Sequence, residues 1–522
     1  MGMLDCRRND DSSIGTFVLL WGISFDIPFF ILSEKIKMTT QTKPTIEVKL
    51  GFKWQGLLLA ILVGLAIWFC PTPEGLTPKA WGMLALFVAT IVAIIAKAMP
   101  MGAATLVALV VSGLTGLTPL SAKQGEVGML SGFANGTIWL IGIAMFLSRA
   151  VIKTGLGKRI ALYFVARFGK KMMGVAYGMA LADVVIGPGI PSASARGGGI
   201  MYPIMQSIAD AYDSKPGPTA RRAGAFLAIA VSQIDTIVCT MFLTAMAGNP
   251  LIAELAKGQG VDITWMTWFL GAIVPGIISL IVLPYFVYLI YPPELKDTPK
   301  MAEMARDELK NMGPMSKAEI ILALDFVLLL FLWTVGDLVF HIPATVSAFI
   351  GLVILLFTNI MTWKNIVEET TAWDTMFWFA VLVMMANALN KYGAITWVSN
   401  HIAGSVGVFS WPVAFSILVL VYFYTRYFFA SAMAHISAMY LAFLAAAIAV
   451  GTPPMIAAIG LGYTSTLSMS LTQYAGGPGP ALYGSGYNST GQWWGVSFIV
   501  SIVSLVIWFG VGGIWMKMLG WW

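Results

Sequence analysis

The chain has 522 residues, of which 58% are hydrophobic and only 11% are charged, with a formal net charge of +6. Because a soluble globular protein carries about 25% charged residues, this composition excludes a soluble enzyme, a disordered chain and a fibrous protein. A modest positive excess is typical of the cytoplasmic loops of membrane proteins and does not indicate a nucleic-acid partner. The three histidines are far apart in the sequence and predict no metal site.

Residues 1–53 form an N-terminal segment that differs from the rest of the chain. Its apolar stretch, 17–32, is interrupted by Asp26 and Pro28 and is shorter than the roughly 20 residues that a membrane-spanning helix needs. Met38 then opens a polar stretch that is typical of a cytoplasmic N-terminus, so Met38 is a candidate translation start. A peripheral N-terminal helix is the alternative.

Eleven apolar runs of spanning length follow, and two further apolar regions are interrupted by small and polar residues. The interrupted regions, 172–212 and 411–450, are typical of re-entrant hairpins, whose exposed backbone must lie against protein or a water-filled cavity. The sequence therefore predicts an all-α polytopic membrane protein with about 11 transmembrane helices and two re-entrant hairpins. The predicted spans are 54–70, 80–97, 101–117, 136–152, 222–246, 265–290, 318–336, 342–361, 371–390, 453–474 and 491–518.

The distribution of lysine and arginine gives an orientation for these spans. The basic residues concentrate in alternate loops and in a linker, 294–317, which the positive-inside rule places in the cytoplasm. The segment 156–171 alternates basic and apolar residues and is predicted to lie in the membrane interface. The sequence thus predicts a multi-pass protein of the cell inner (cytoplasmic) membrane.

Two internal repeats are visible after the first span, which occupies 54–79. The segments 139–155 and 377–393 share three residues at an offset of 238, and 243–250 matches 471–478 at five of eight positions. Each repeat holds five spans and one hairpin, and an odd number of crossings makes the two repeats inverted. Repeat 1 is predicted to cover 80–293 and repeat 2 to cover 318–522.

The paired breaks predict a binding site near the middle of the membrane, because binding sites of inverted-repeat transporters lie at such positions. Helix N-termini that begin there present N–H groups to a carboxylate, and hydroxyls add neutral donors. Close helix packing is the alternative role for small hydroxylated residues. The predicted site consists of Ser192, Ala193, Ser194, Thr244, Asn249, Ser431, Ala432 and Thr472, together with two arginines, Arg196 and Arg426.

Arg196 and Arg426 flank the two hairpin tips, one in each repeat. A charged residue within a span is a functional candidate, and an arginine can hold a carboxylate through two hydrogen bonds. The alternative is that each arginine pairs with a buried acid such as Asp183 or Asp235. His435 could bond a substrate, or it could be a core histidine with its hydrogen bonds satisfied.

The stretches 191–203, 426–432, 471–474 and 484–487 together resemble the divalent anion/sodium symporter family, and the similarity covers nearly all of 50–522. The sequence is most similar to the bacterial citrate/succinate and tartrate/succinate antiporters and to the plastid-type 2-oxoglutarate/malate translocators. The resemblance implies a carrier of di- or tricarboxylates that forms a homodimer. It also implies an elevator-type movement of the domain that contains the hairpins.

The family carries a Ser-Asn-Thr motif at each tip, which in sodium-coupled members binds the substrate carboxylates and frames sodium sites. Here 192–194 reads Ser-Ala-Ser and 431–433 reads Ser-Ala-Met, which removes oxygens that a sodium ion would need. We therefore expect an anion exchanger without a cofactor, with sodium- or proton-coupled symport as the alternative. An integral-membrane enzyme is disfavoured because no nucleophile–base pair or cofactor motif is present, and a channel because hairpins in inverted repeats favour alternating access. The sequence does not distinguish among C4-dicarboxylates, citrate, tartrate and 2-oxoglutarate.

Overall fold

The computed structural model describes residues 51–406 and 409–522, which are largely helical and contain no β-strand. The predicted N-terminal segment, with its candidate start at Met38, lies almost entirely outside these residues. Within them, ten helices are at least 18 residues long and apolar enough to cross a membrane, which confirms the all-α polytopic fold. These helices are Pro78–Ile95, Gly136–Thr154, Met172–Gly189, Gly224–Met241, Trp265–Ile290, Lys317–Gly336, Thr370–Lys391, Trp411–Phe428, Ala432–Ala449 and Thr490–Met518.

All eleven predicted spans coincide with helices, but four of those helices have fewer than 18 residues. They have 14 to 16 residues, and 14 residues rise only about 21 Å along a helix axis. The helix of the span predicted at 453–474 ends early because the chain turns through a 3₁₀ segment, Ser468–Ser470, and then becomes irregular. The four helices are Trp54–Phe69, Met101–Leu114, Ala344–Phe357 and Pro454–Leu467.

Each predicted hairpin is a helix, a break and a second helix, in agreement with the sequence. Hairpin 1 consists of Met172–Ile186, a break at 187–193, and the returning helices Ser194–Met201 and Tyr202–Ala211. The break contains Gly187, Pro188, Gly189 and Pro191, and a proline within a helix removes a hydrogen-bond donor and clashes with the preceding turn.

Hairpin 2 has the same order of elements as hairpin 1. It consists of Trp411–Tyr424, a 3₁₀ turn at Thr425–Phe428, and a non-helical break at 429–431. The chain is then helical from Ala432 to Ala449, through the consecutive pieces Ala432–His435, Ile436–Tyr440 and Leu441–Ala449.

The core is built around the broken helices of both repeats. Every residue of Gly224–Met241 is buried. This helix packs against the first limb of hairpin 1, against Trp265–Ile290, and against Pro454–Leu467 from repeat 2. Pairing of the two broken helices brings the breaks of both repeats into one region of the molecule.

Two helices extend what the sequence indicated. Ala394–Val406 begins 238 residues after the helix Leu156–Phe168, which is the offset of the repeat, although the apolar pattern did not indicate it. The predicted linker contains the helix Pro299–Asn311, which packs on Leu156–Phe168 and is joined to it by a Lys158–Glu308 ion pair of 2.7 Å. Short helices also lie at Trp363–Val367 and Gly479–Gly484.

Candidate functional site

Both predicted broken spans lose helical structure where the sequence placed a break. In repeat 1 the helix ends at Met241, and helical structure resumes as the α-helix Gly248–Lys257 after a short 3₁₀ turn. In repeat 2 the chain is irregular between Ser470 and the helix that begins at Gly479. We call residues 242–249 broken segment 1 and residues 471–478 broken segment 2.

Each hairpin tip packs on the broken segment of the other repeat. The Ser194 Oγ donates a hydrogen bond to the Gly477 carbonyl at 3.2 Å. A Cβ atom placed on Gly477 would lie 2.6 Å from the Ser194 backbone nitrogen, so glycine is required for this approach. On the opposite pair, a Cβ atom on Gly248 would lie 3.3 Å from the Met433 Sδ of hairpin 2. The tips and the breaks therefore form one connected site.

The turn that ends the first limb of each hairpin packs on the broken segment of its own repeat. The Thr244 Oγ1 donates to the Pro188 carbonyl at 2.8 Å, and the Arg426 Nη2 donates to the Ala475 carbonyl. Ser194 and Arg426 thus contact backbone positions two residues apart, a separation of about 7 Å in a fully extended chain. Broken segment 2 brings the tip of hairpin 1 and the arginine of hairpin 2 together.

Arg196 is fully buried and fully bonded. Its Nε donates to the Asp183 Oδ1 at 2.9 Å and its Nη2 donates to the Asp235 Oδ1 at 3.1 Å. Its other three N–H groups donate to uncharged acceptors, which are the carbonyls of Ile190 and Ala245 and the Cys239 sulfur. All five donors of the guanidinium are in use in this conformation. The pairing with buried acids, which the sequence offered as the alternative to substrate binding, is what the structure shows for Arg196.

Arg426 is equally buried but almost unbonded. Its Nη2 donates to the Ala475 carbonyl, and its Nε and Nη1 have no hydrogen-bond partner in the part of the chain that the structure describes. No carboxylate among residues 51–406 and 409–522 lies within ion-pair distance of this guanidinium. A buried cation without a partner is costly, so an anion is the partner that this position lacks.

The polar residues of the two broken segments differ in the same way as the two arginines, because those of broken segment 1 are bonded within the protein and Thr472 of broken segment 2 is not. In broken segment 1, Thr244 donates to Pro188 and accepts a hydrogen bond from the Trp265 Nε1 at 3.1 Å. Asn249 donates to two backbone carbonyls and accepts from the Thr466 hydroxyl at 2.9 Å. In broken segment 2, the buried Thr472 hydroxyl has no hydrogen-bond partner among residues 51–406 and 409–522. The polar groups of broken segment 1 hold the break together, whereas Thr472 keeps a free hydrogen-bonding group.

The serines of the tips are at least partly exposed, whereas the alanines between or beside them are buried. The Ser192 Oγ accepts a hydrogen bond from the Ala195 backbone N–H at 3.2 Å, which caps the returning limb of hairpin 1. Ser431 precedes the first residue of the returning limb of hairpin 2 and makes no capping hydrogen bond with its side chain. Ala193 and Ala432 are buried and contribute no side-chain oxygen.

His435 is buried against the limb that precedes it. Its Nε2 donates to the Tyr422 carbonyl at 3.1 Å and lies 3.1 Å from the Thr425 hydroxyl, while its Nδ1 has no partner. The histidine is therefore only partly satisfied, between the two roles that the sequence offered.

A cavity of about 680 Å³ opens at the tip of hairpin 1. Ser192, Ser194 and Ala195 line one wall of this cavity. The opposite wall carries charged and polar side chains that the sequence interpretation missed, namely Arg149, Lys153, Asn365, Glu369 and Thr371. Arg149 lies within the predicted span 136–152, so the rule that marks charged residues within spans could have found it.

Comparison with known proteins adds a family and named relatives. The sequence pattern of the family described as the sodium:sulfate symporter transmembrane region matches residues 52–522. A Bacillus subtilis (strain 168) protein named "Putative malate transporter YflS" is 50% identical over 468 residues, which are 89% of this chain and 96% of that protein. "Dicarboxylate transporter 1, chloroplastic" of Spinacia oleracea is 46% identical over 478 residues, which are 90% of this chain and 83% of that protein.

A solved structure also resembles the fold. The YdaH transporter of Alcanivorax borkumensis covers 74% of this chain and 86% of its own chain, with a TM-score of 0.47 and 14% sequence identity.

Proposed function

Because this chain belongs to the sodium:sulfate symporter family, we propose that it exchanges dicarboxylates such as malate across the inner (cytoplasmic) membrane of a bacterial cell. The chain is a membrane transporter and not an enzyme. The names of the relatives, one a malate transporter and one a dicarboxylate transporter, support the substrate class. The ten apolar helices found within the described residues support the membrane location.

The observation that carries the proposal is the unpartnered guanidinium of Arg426 beside broken segment 2. Its Nε and Nη1 are free to donate to a carboxylate, and such charge-assisted hydrogen bonds are strong. Thr472, on the same segment, has a free hydroxyl. One carboxylate of the substrate would bind to these groups, and Ser192 and Ser194 of hairpin 1 would bind the other.

Exchange follows from the fixed positive charge. A transport site that holds a dianion against a permanent cation is stable when loaded, but the empty site leaves Arg426 buried and unpaired, which is unfavourable. The protein would therefore return across the membrane with a second dicarboxylate bound. The alanines at positions 193 and 432 supply no side-chain oxygen for a sodium ion, so the substrate charge is offset by the protein.

Cation-coupled symport is the second candidate, because the family description names sodium symporters. Irregular backbone at both breaks offers carbonyl oxygens, which are ligands that hard cations accept. The two candidates differ in one observable property, since a symporter accumulates substrate in vesicles that contain none.

We further propose that the protein works as a homodimer with elevator-type movement of the hairpins. Support for the movement comes from the fold, in which both hairpins and both broken segments form one connected site that could move as a unit; the dimer is what the resemblance to the family implies.

The experiment is uptake of radiolabelled malate into proteoliposomes. We expect uptake when the vesicles are preloaded with malate and only background uptake when they are empty. We also expect no change when external sodium is replaced by potassium or choline. Strong sodium-dependent uptake into empty vesicles would favour symport, and no malate uptake under any condition would contradict the proposed substrate class.

A further inference from the structure

The cavity at the tip of hairpin 1 has a charged wall that the proposed exchange site does not use. Its volume, about 680 Å³, lies within the range of about 300–1,000 Å³ that is common for small-molecule sites. Two of the lining side chains, Arg149 and Lys153, are cations, and one, Glu369, is a carboxylate. The lining therefore carries an excess of positive charge opposite Ser192 and Ser194.

Arg149 is held by a carboxylate of the protein itself. Its Nη1 donates to the Glu369 Oε2 at 2.8 Å, and its Nη2 lies 4.0 Å from Glu368. The side chain of Arg149 is 36% exposed and that of Glu369 is 20% exposed, so both are open to the cavity. An ion pair of this exposure is weak, and a second carboxylate can replace Glu369 on the guanidinium.

Lys153 lies one helical turn after Arg149 and has no acidic partner in the described part of the chain. Its Nζ donates to the Ile360 carbonyl at 2.8 Å and to the Asn365 Oδ1 at 2.9 Å, which are both neutral acceptors. The charge of this ammonium is therefore not compensated by the protein. Residues one helical turn apart present their side chains to the same side, so a dianion could contact both cations.

We infer that Arg149 and Lys153 form a second carboxylate-binding site, an access site from which dicarboxylates reach the hairpin tips. Glu369 is paired with Arg149 when no substrate is present, and one carboxylate of an arriving substrate displaces it. Lys153 attracts the other carboxylate. This inference deepens the proposed function and rests on it, because the ligand is the transported dicarboxylate.

The orientation predicted from the basic loops places this cavity on the cytoplasmic side. The access site should therefore set the affinity for internal substrate. In right-side-out vesicles preloaded with graded malate, R149Q should raise the half-saturating internal malate concentration about threefold to fivefold, as expected for a partly exposed charge pair. The maximal exchange rate should stay unchanged.

E369Q should have the opposite effect and lower the half-saturating concentration, because Arg149 is then free. A gain of affinity cannot result from a misfolded protein, so this variant keeps the test decisive even if R149Q folds poorly. The double variant R149Q/E369Q should behave like R149Q, because Glu369 acts through Arg149.

The matched control is K79Q, which breaks a surface ion pair between Lys79 and Glu126 of the same length, 2.8 Å, away from the cavity. It should leave the internal half-saturation unchanged. The inference is overturned if E369Q raises the half-saturating concentration as R149Q does, since that result marks a merely structural pair. It is also overturned if R149Q equals the wild type. A wild-type protein that exchanges no dicarboxylate contradicts the proposed function itself.

Discussion

In each hairpin a side chain just after the tip bonds to the limb before the tip, but this side chain is an arginine in hairpin 1 and a histidine in hairpin 2. Four residues after the first tip serine, hairpin 1 has Arg196 and hairpin 2 has His435. Arg196 and His435 are 239 positions apart. Each forms a hydrogen bond with the limb that precedes it, and the bonded residues, Asp183 and Tyr422, are also 239 positions apart. In hairpin 1 the contact is ionic and uses every donor of the guanidinium, whereas in hairpin 2 it is neutral and leaves one ring nitrogen without a partner among the described residues.

The cation of repeat 2 stands elsewhere, at Arg426 in the turn before the tip. At that place hairpin 1 has its Gly-Pro-Gly turn, whose Pro188 carbonyl accepts a hydrogen bond from Thr244. Arg196 and Arg426 are therefore not equivalent, although each flanks a tip. Arg196 is bonded to two acids within the protein, whereas Arg426 is the arginine that we propose binds the substrate.

Replacement of Arg196, the arginine that is paired with acids, should have the largest effect on stability. R196Q would leave Asp183 and Asp235 buried without a cation, and breaking a buried ion pair destabilises a protein by about 3–5 kcal/mol. We expect a large fall in the melting temperature of the detergent-solubilised protein. H435Q, at the equivalent position of repeat 2, is the control and should have a smaller effect. Melting of R196Q at the wild-type temperature would show that the ionic cluster does not hold hairpin 1.

Removing the unpaired arginine should act on transport and not on folding. R426Q loses the donors proposed for one carboxylate, and hydrogen bonds to charged groups contribute about 1.5–3 kcal/mol each. Malate exchange should fall by about a hundredfold or more. The melting temperature should be unchanged or raised, because an unpaired buried cation disappears. The exchange rate of R426K, which keeps the charge without the paired donors, should lie between those of R426Q and the wild type. Unaltered exchange in both variants would show that Arg426 does not bind the substrate.

The threonines of the two broken segments give the same contrast without a charge. T244V removes the hydrogen bond to Pro188 and leaves the Trp265 Nε1 unpartnered, so it should lower the free energy of unfolding by about 1–3 kcal/mol. T472V removes a hydroxyl that has no protein partner, so stability should hold while exchange falls about tenfold. Chemical denaturation and exchange assays on both variants test this prediction. Equal effects of T244V and T472V on stability and on exchange would contradict the proposed difference between the two threonines.

The glycines give the smallest expected difference. In G477A the new Cβ would lie 2.6 Å from the Ser194 backbone nitrogen and 2.8 Å from the Ala193 Cβ, so the tip of hairpin 1 must shift. Overpacking costs about 1–3 kcal/mol, and exchange should fall about tenfold or less. In G248A the nearest atom is the Ile436 Cδ1, the end of a flexible side chain. Exchange by G248A should stay near the wild type; a loss equal to that of G477A would show that both contacts are equally rigid.

Much of this architecture was accessible from the sequence because it depends on local chemistry. A run of glycine and proline marked the break of hairpin 1, small and polar residues marked the break of hairpin 2, and the match of 243–250 with 471–478 marked both broken segments. The helix Ala394–Val406 was missed because its polar residues, such as Asn400 and His401, interrupt the apolar run. Only the offset of the repeat could have indicated it.

The division between the two arginines was not accessible, because it depends on tertiary contacts. Asp235 is 39 residues from Arg196 in the chain, and nothing in the sequence states which arginine it meets. The absence of a partner at Arg426 is likewise a property of what packs around it. The sequence could name the candidate residues, but only their neighbours in the fold separate a structural role from a binding role.

We propose that Arg426, and not Arg196, holds the substrate, and malate-dependent thermal stabilisation of the protein distinguishes the two arginines. A ligand at a hundred times its dissociation constant stabilises the folded protein by about 2.7 kcal/mol, so malate should raise the melting temperature of the wild type. We predict that R426Q, folded and as stable as the wild type without malate, loses this increase. An R426Q variant that is stabilised by malate as strongly as the wild type would show that Arg426 does not hold the substrate.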